Sequence, residues 1–214
     1  MAKRGGVSSS SGGASKSAAG VLEQARAALQ KPMSLDDFLA KLTARDRTNV
    51  DRHLAVIEAE PDPKHAALWK RLARTLSTLA PHSASTTGQQ AISFFVADGK
   101  YRMQVFAMED NRDGKVILYA VDALDDALKA HVLRPPPKGT EDASAHPLSN
   151  GQVLSVESLT NENTPNPSPF YKHMLGWNRK AVRITLPHDA SDEQITAAEN
   201  LCAIAAVRWK PKEA

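Results

Sequence analysis

The chain is poor in the residues that would announce its chemistry. Its single cysteine, Cys202, excludes an internal disulfide framework and a cysteine-ligated zinc ribbon. Aromatics make up only 5% of the 214 residues, too few for an aromatic-rich repeat protein. No apolar run approaches the ~20 residues that a bilayer crossing needs. Residues 5–20, GGVSSSSGGASKSAAG, lack the apolar segment of an export signal. There is no phosphate-cradling glycine loop, no Gly-x-Ser-x-Gly elbow, no His-x-His and no His-Glu-x-x-His. These absences lead to an expectation of a cytoplasmic protein with no membrane partner, no cofactor and no metal motif.

Acidic residues are missing from two stretches, 63–97 and 163–188. The formal charge of +3 is nevertheless carried wholly by Lys3, Arg4 and Lys16 in the first 20 residues, which leaves 24 side chains of each sign in the body. A role as a polyanion binder would therefore depend on where cations cluster, and net charge gives it no support.

What is present is a hydrophobic content of 42%, enough for a packed core. The first 20 residues read as a flexible Ser/Gly-rich tail. Residues 21–82 read as a helical region. Leu22, Ala25 and Leu29 share helical spacing; Ser34 caps a second segment; Leu35, Phe38, Leu39 and Leu42 form one stripe, and Val50, Leu54 and Ile57 resume it after TARDRTN, so two helices are expected to meet near Asp46. After Asp62-Pro63, the residues Leu68, Trp69, Leu72, Leu76 and Leu79 line one face of a helix and Lys64, Lys70, Arg71 and Arg74 the other.

Residues 83–90 are polar and read as a linker. AISFFVA, KYRMQVFAM and KVILYAV then read as three antiparallel strands joined at Asp98-Gly99 and at EDNRDG. Over the second of them, Tyr101, Met103, Val105 and Ala107 alternate against Lys100, Arg102 and Gln104. A helix capped by Asp122 is expected to run to Val132 and stop at Pro135–Pro137. QVLSVESL and KAVRITLP supply two more strands, and Ser191 with Gln194 forms a capping box before a last helix that buries Ile195, Ala198, Leu201, Cys202 and Ala205. The expected class is α+β: an N-terminal helical annex, then an α+β domain over 88–210 with a five-stranded antiparallel sheet in the order α-βββ-α-ββ-α and long loops at 134–150 and 160–178. Over roughly residues 88–208 this order resembles the compact fold of class I type III secretion chaperones and related small α+β binding proteins.

Two regions attract attention as binding surfaces. In FYKHMLGWNRKAVR, the rings of Phe170, Tyr171 and Trp177 sit among Lys172, His173, Arg179 and Lys180, a mixture that can hold phosphates and stack on bases, or can pin a loop to a sheet. Lys70, Arg71 and Arg74 form the second, a cationic helix face that can follow a phosphate backbone or pair with acids of the preceding helices. The loop Glu109–Gly114 mimics half of a calcium loop, but Ala120 stands where a bidentate Glu is needed, so it reads as a hairpin turn. His53, His65, His82, His131, His146, His173 and His188 fall in no ligand spacing, although His146, His173 and His188 could meet in space. The expected function is a non-catalytic binding or adaptor module that engages a protein partner through its sheet and loops, strand 100–108 and loop 170–178 above all. A nucleic-acid-associated protein is the first alternative, and an enzyme with a pocket near His173, Tyr171 and Asp189 the second.

Overall fold

The computed structural model describes residues 17–88, 90–98, 101–111, 113–136, 143–160, 163–164, 174 and 180–209. It is mixed helix and antiparallel sheet. The helices are α1 (Ala18–Leu29), α2 (Leu35–Ala40), α3 (Ala44–Glu58), α4 (Lys64–Leu79), α5 (Asp126–Lys129) and α6 (Asp192–Arg208). The strands are β1 (Ser83–Thr86), β2 (Ala91–Asp98), β3 (Tyr101–Asn111), β4 (Lys115–Val121), β5 (Ala145–Pro147), β6 (Val153–Thr160) and β7 (Lys180–Pro187).

Side-chain caps fix most helix starts. Ser34 accepts from Asp37 N, Thr43 from Asp46 N, and Ser191 forms a reciprocal box with Gln194. Thr43 is why the chain breaks into α2 and α3 slightly before Asp46: its hydroxyl takes an orphan N–H of the new helix. The helix expected from Asp122 shrinks to α5, because Asp122 Oδ1 accepts from Leu124 N in a local turn and Asp125 becomes the cap.

The sheet has seven strands in the order β1-β2-β3-β4-β7-β6-β5, not five. The additional strands are its two edges, β1 of four residues and β5 of three. Their polar composition hides them; pairing with β2 and β6 creates them. β1 is also held from outside the sheet, since Asp46 on α3 accepts from both Thr86 N and Thr86 Oγ1.

One face of the sheet carries the helices. α6 touches β4, β6 and β7 and packs against α1 and α4, which explains why it buries Ala197, Ala203 and Ile204 as well as its expected stripe. Phe38 of α2 lies between Trp69 of α4 and Phe94 of β2. One continuous apolar core runs from Val21 to Ala205, so the helical annex and the sheet are packed together. Cys202 is fully buried in it, and burial pushes its thiol up to about 12.

A bulge decides which residues of β3 face the helices. Phe94 pairs with Phe106, but Phe95 pairs with Gln104, so Val105 is an extra residue. The alternation changes phase there. Phe106, Met108 and Asp110 pair with Ala120, Leu118 and Val116, which in turn pair with Val182, Ile184 and Leu186. A carboxylate thus follows two buried apolar side chains onto the helix-covered face.

Candidate functional site

At one end of the sheet, three elements bring titratable side chains to Asp110 of β3. Helix α3 supplies His53, the first turn of α4 supplies His65, and the turn that leaves β7 supplies His188. All three present Nε2 to the same carboxylate. His53 and His65 each lie 2.7 Å from Oδ2, and His188 lies 3.0 Å from Oδ1. The backbone holds the carboxylate in place: Asp110 N donates to Gln90 O at 2.8 Å, and His188 N donates to Gly114 O at 3.0 Å.

Burial is deep. His53 is 6% exposed, His65 4% and Asp110 2%, whereas the His188 side chain is 25% exposed and faces outward. Burial alone would push the Asp110 carboxyl up. The hydrogen bonds from His53 and His65, reinforced by the charge on those rings, outweigh it and hold the group below the usual carboxylate range. His65 has a second carboxylate partner, Glu60 in the α3–α4 connection, at 2.9 Å from Nδ1. Its ring lies flat against that of His188, with centroids 3.4 Å apart and planes 13° from parallel. The cluster lines a cleft of about 480 Å³ together with Glu60, Val56, Gln90 and Asn111.

Two imidazole nitrogens each lie 2.7 Å from one carboxylate oxygen, and a second set, Glu60, His65 and His188, brings ligand atoms within 4.8 Å of one another. A ring flanked by two carboxylates donates to both only when both nitrogens bear protons; if one nitrogen binds a metal ion instead, the other alone donates.

The surfaces expected from the sequence lie elsewhere. Lys70 pairs with Glu58. Arg71 binds Asp192 and Glu199 at 2.7 Å, clamping α4 to α6, and Arg74 Nε donates to Met33 O at 2.9 Å. These three cations therefore serve internal contacts. Lys180 opens β7 and is exposed. Phe170, Tyr171, Lys172, His173, Trp177 and Arg179 lie outside the described residues. Asp189 is exposed beside His188, and His146 sits on edge strand β5 with its Nδ1 on Arg134 O. Strand β3 is paired on both sides over Phe106–Glu109, so that part has no free edge to offer a partner. The loop Glu109–Gly114 turns as expected, with Asn111 Oδ1 accepting from Asp113 N and Lys115 N and Gly114 at φ +76°.

The cluster had a signal that spacing rules pass over. His53 falls on the same stripe as Val50 and Ile57, His65 on that of Leu68, Trp69 and Leu72, and His188 continues the alternation of Ile184 and Leu186. Two imidazoles at core positions, with a third at the margin of the core, call for a common partner.

Comparison with known proteins finds no matching family model, no matching curated protein and no matching solved structure. Among the described residues no helix is long and apolar enough to cross a membrane. The functional reading rests on the geometry above.

Proposed function

We propose that this protein binds a divalent transition-metal ion through His53 Nε2, His65 Nε2 and the Asp110 carboxylate. The observation that carries the reading is the convergence of two buried imidazole nitrogens, from two helices, at 2.7 Å on one carboxylate oxygen of a strand. A nitrogen-rich set with one carboxylate suits Zn²⁺, Fe²⁺ or Co²⁺ and not Ca²⁺ or Mg²⁺, which prefer all-oxygen shells. Imidazole nitrogen and carboxylate oxygen are donors that such ions take at ~2.0–2.2 Å, and a bound ion would stand in for the protons that now join the two rings to Asp110. Glu60 supports the reading too: a metal-bound imidazole ordinarily gives its other N–H to a carboxylate, and His65 Nδ1 lies 2.9 Å from Glu60 Oε2.

Action through the sheet, as an adaptor, and nucleic-acid binding are the competing readings. The first would use the edge strands of four and three residues, the latter ending in Pro147, or the start of β3, which pairs with β2 alone over Tyr101–Gln104, and the second would lean on residues 170–179 because the α4 cations are engaged internally. The metal reading is preferred because it uses a buried polar cluster that opens into a cleft. Its test is calorimetric titration of Zn²⁺ and Co²⁺ into the untagged, chelator-treated chain. One equivalent should bind with a Kd of about 1 µM or tighter, and His53→Ala or His65→Ala should weaken it ~100-fold. Binding left unchanged by combining His53→Ala with His65→Ala would refute the reading.

A further inference from the structure

Resting on that metal reading, we infer that His188 is an outer partner of the centre and not a ligand, and that the ion keeps an open position facing the cleft for a small molecule with a carbonyl or carboxylate oxygen. The argument starts from the stack. A metal–imidazole bond lies in the plane of the ring, along the nitrogen lone pair. The His65 and His188 rings are 3.4 Å apart and 13° from parallel. An ion in the plane of His65 is therefore far above the plane of His188, whereas a bond needs ~2.0–2.1 Å within that plane. One ion is served by His65 or by His188, not by both in this arrangement.

The contacts divide the roles. His53 and His65 converge on Oδ2 of Asp110, so that oxygen belongs to the ion. His188 reaches Oδ1 at 3.0 Å, so it donates Nε2–H there and keeps the carboxylate bound through one oxygen. Glu60 does for His65 what His188 does for Asp110. Three protein ligands are the count of a centre with a vacancy in its coordination shell, where structural sites use four.

The cleft states what can fill that position. At about 480 Å³ it has room for a small molecule. Among the described lining residues there is no Lys or Arg, and the acids are Glu60 and Asp110. A divalent ion with two neutral imidazoles and the Asp110 carboxylate keeps a single positive charge, which Glu60 beside His65 offsets, so a neutral carbonyl or at most one carboxylate suits the open position. A phosphate group, with two charges and no cation among the described lining residues to share them, is poorly matched.

The experiment loads the full chain with Co²⁺ and follows its visible absorption during titration with acetohydroxamate, an oxygen chelator, and separately with inorganic phosphate. A saturable spectral change with hydroxamate and none comparable with phosphate is expected. His188→Gln should keep one cobalt with affinity within ~10-fold of the parent and still respond, while His53→Gln should lose cobalt ~100-fold. The inference is overturned if hydroxamate leaves the spectrum unchanged, if phosphate is the better ligand, or if His188→Gln loses cobalt as far as His53→Gln does. In each of those cases the metal reading survives. If cobalt does not bind the parent chain at all, both fall together.

Discussion

Replacing Asp110 with alanine removes the one acceptor shared by three imidazoles. His53 and His65 are 6% and 4% exposed, so water cannot replace the lost partner for them. Each buried N–H left without an acceptor costs about 1–3 kcal/mol, which puts the variant about 2–6 kcal/mol below the parent. For a fold of this size ~4 kcal/mol corresponds to a fall in Tm of about 8–16 °C. His188→Ala is the internal control. Its side chain is 25% exposed, so water reaches the vacated site and a loss of about 1 kcal/mol is expected. Urea denaturation of chelator-treated protein at neutral pH measures both. The same plates, repeated with Zn²⁺ at ~100 times its Kd, should raise parent stability by about 2.7 kcal/mol and leave Asp110→Ala unmoved. A loss below about 1 kcal/mol for Asp110→Ala would refute the claim that this carboxylate is a charged, fully used hub.

Two further outcomes follow from the packing. Asp46 accepts from Thr86 N, Thr86 Oγ1 and Thr43 Oγ1; burial pushes its carboxyl up, but these bonds outweigh burial and hold it low. A lowered native value means its contribution is full above the ordinary carboxylate value and disappears as pH falls through the native one; Asp46→Asn should therefore be less stable than the parent by about 1–3 kcal/mol at pH 7, with the gap closing as pH falls below the ordinary carboxylate range in urea melts. A gap independent of pH would count against it. Phe38 is fully buried between Trp69 and Phe94, so Phe38→Ala should cost about 3–5 kcal/mol in the same assay, and a smaller loss would mean that α2 is not part of the cooperative core.

Periodicity made the long elements legible. α4 and α6 follow their apolar stripes and caps, and β2, β3, β4, β6 and β7 follow from alternation between turn residues. The edges did not, because β1 and β5 owe their conformation to neighbours: Ser83–Thr86 is polar and becomes a strand through β2 and the Asp46 clamp. The site was hidden for two physical reasons. His53 and His65 belong to different helices and meet only when the α3–α4 hairpin closes, a relation that no linear motif encodes. Asp110 sits beyond the bulge at Val105, so strict alternation from Met103 assigns it to the wrong face. The cations of α4 were placed correctly on a polar face, but their partners, Glu58, Asp192 and Glu199, lie on other helices.

His53, Asp110 and His188 come from α3, the end of β3 and the turn after β7, stretches far apart in the sequence. A nascent polypeptide that stops short of residue 188 lacks the outermost ring, so the full set assembles only after β7 has joined the sheet. The cluster is therefore a late product of folding, held together by contacts that are long-range in the sequence.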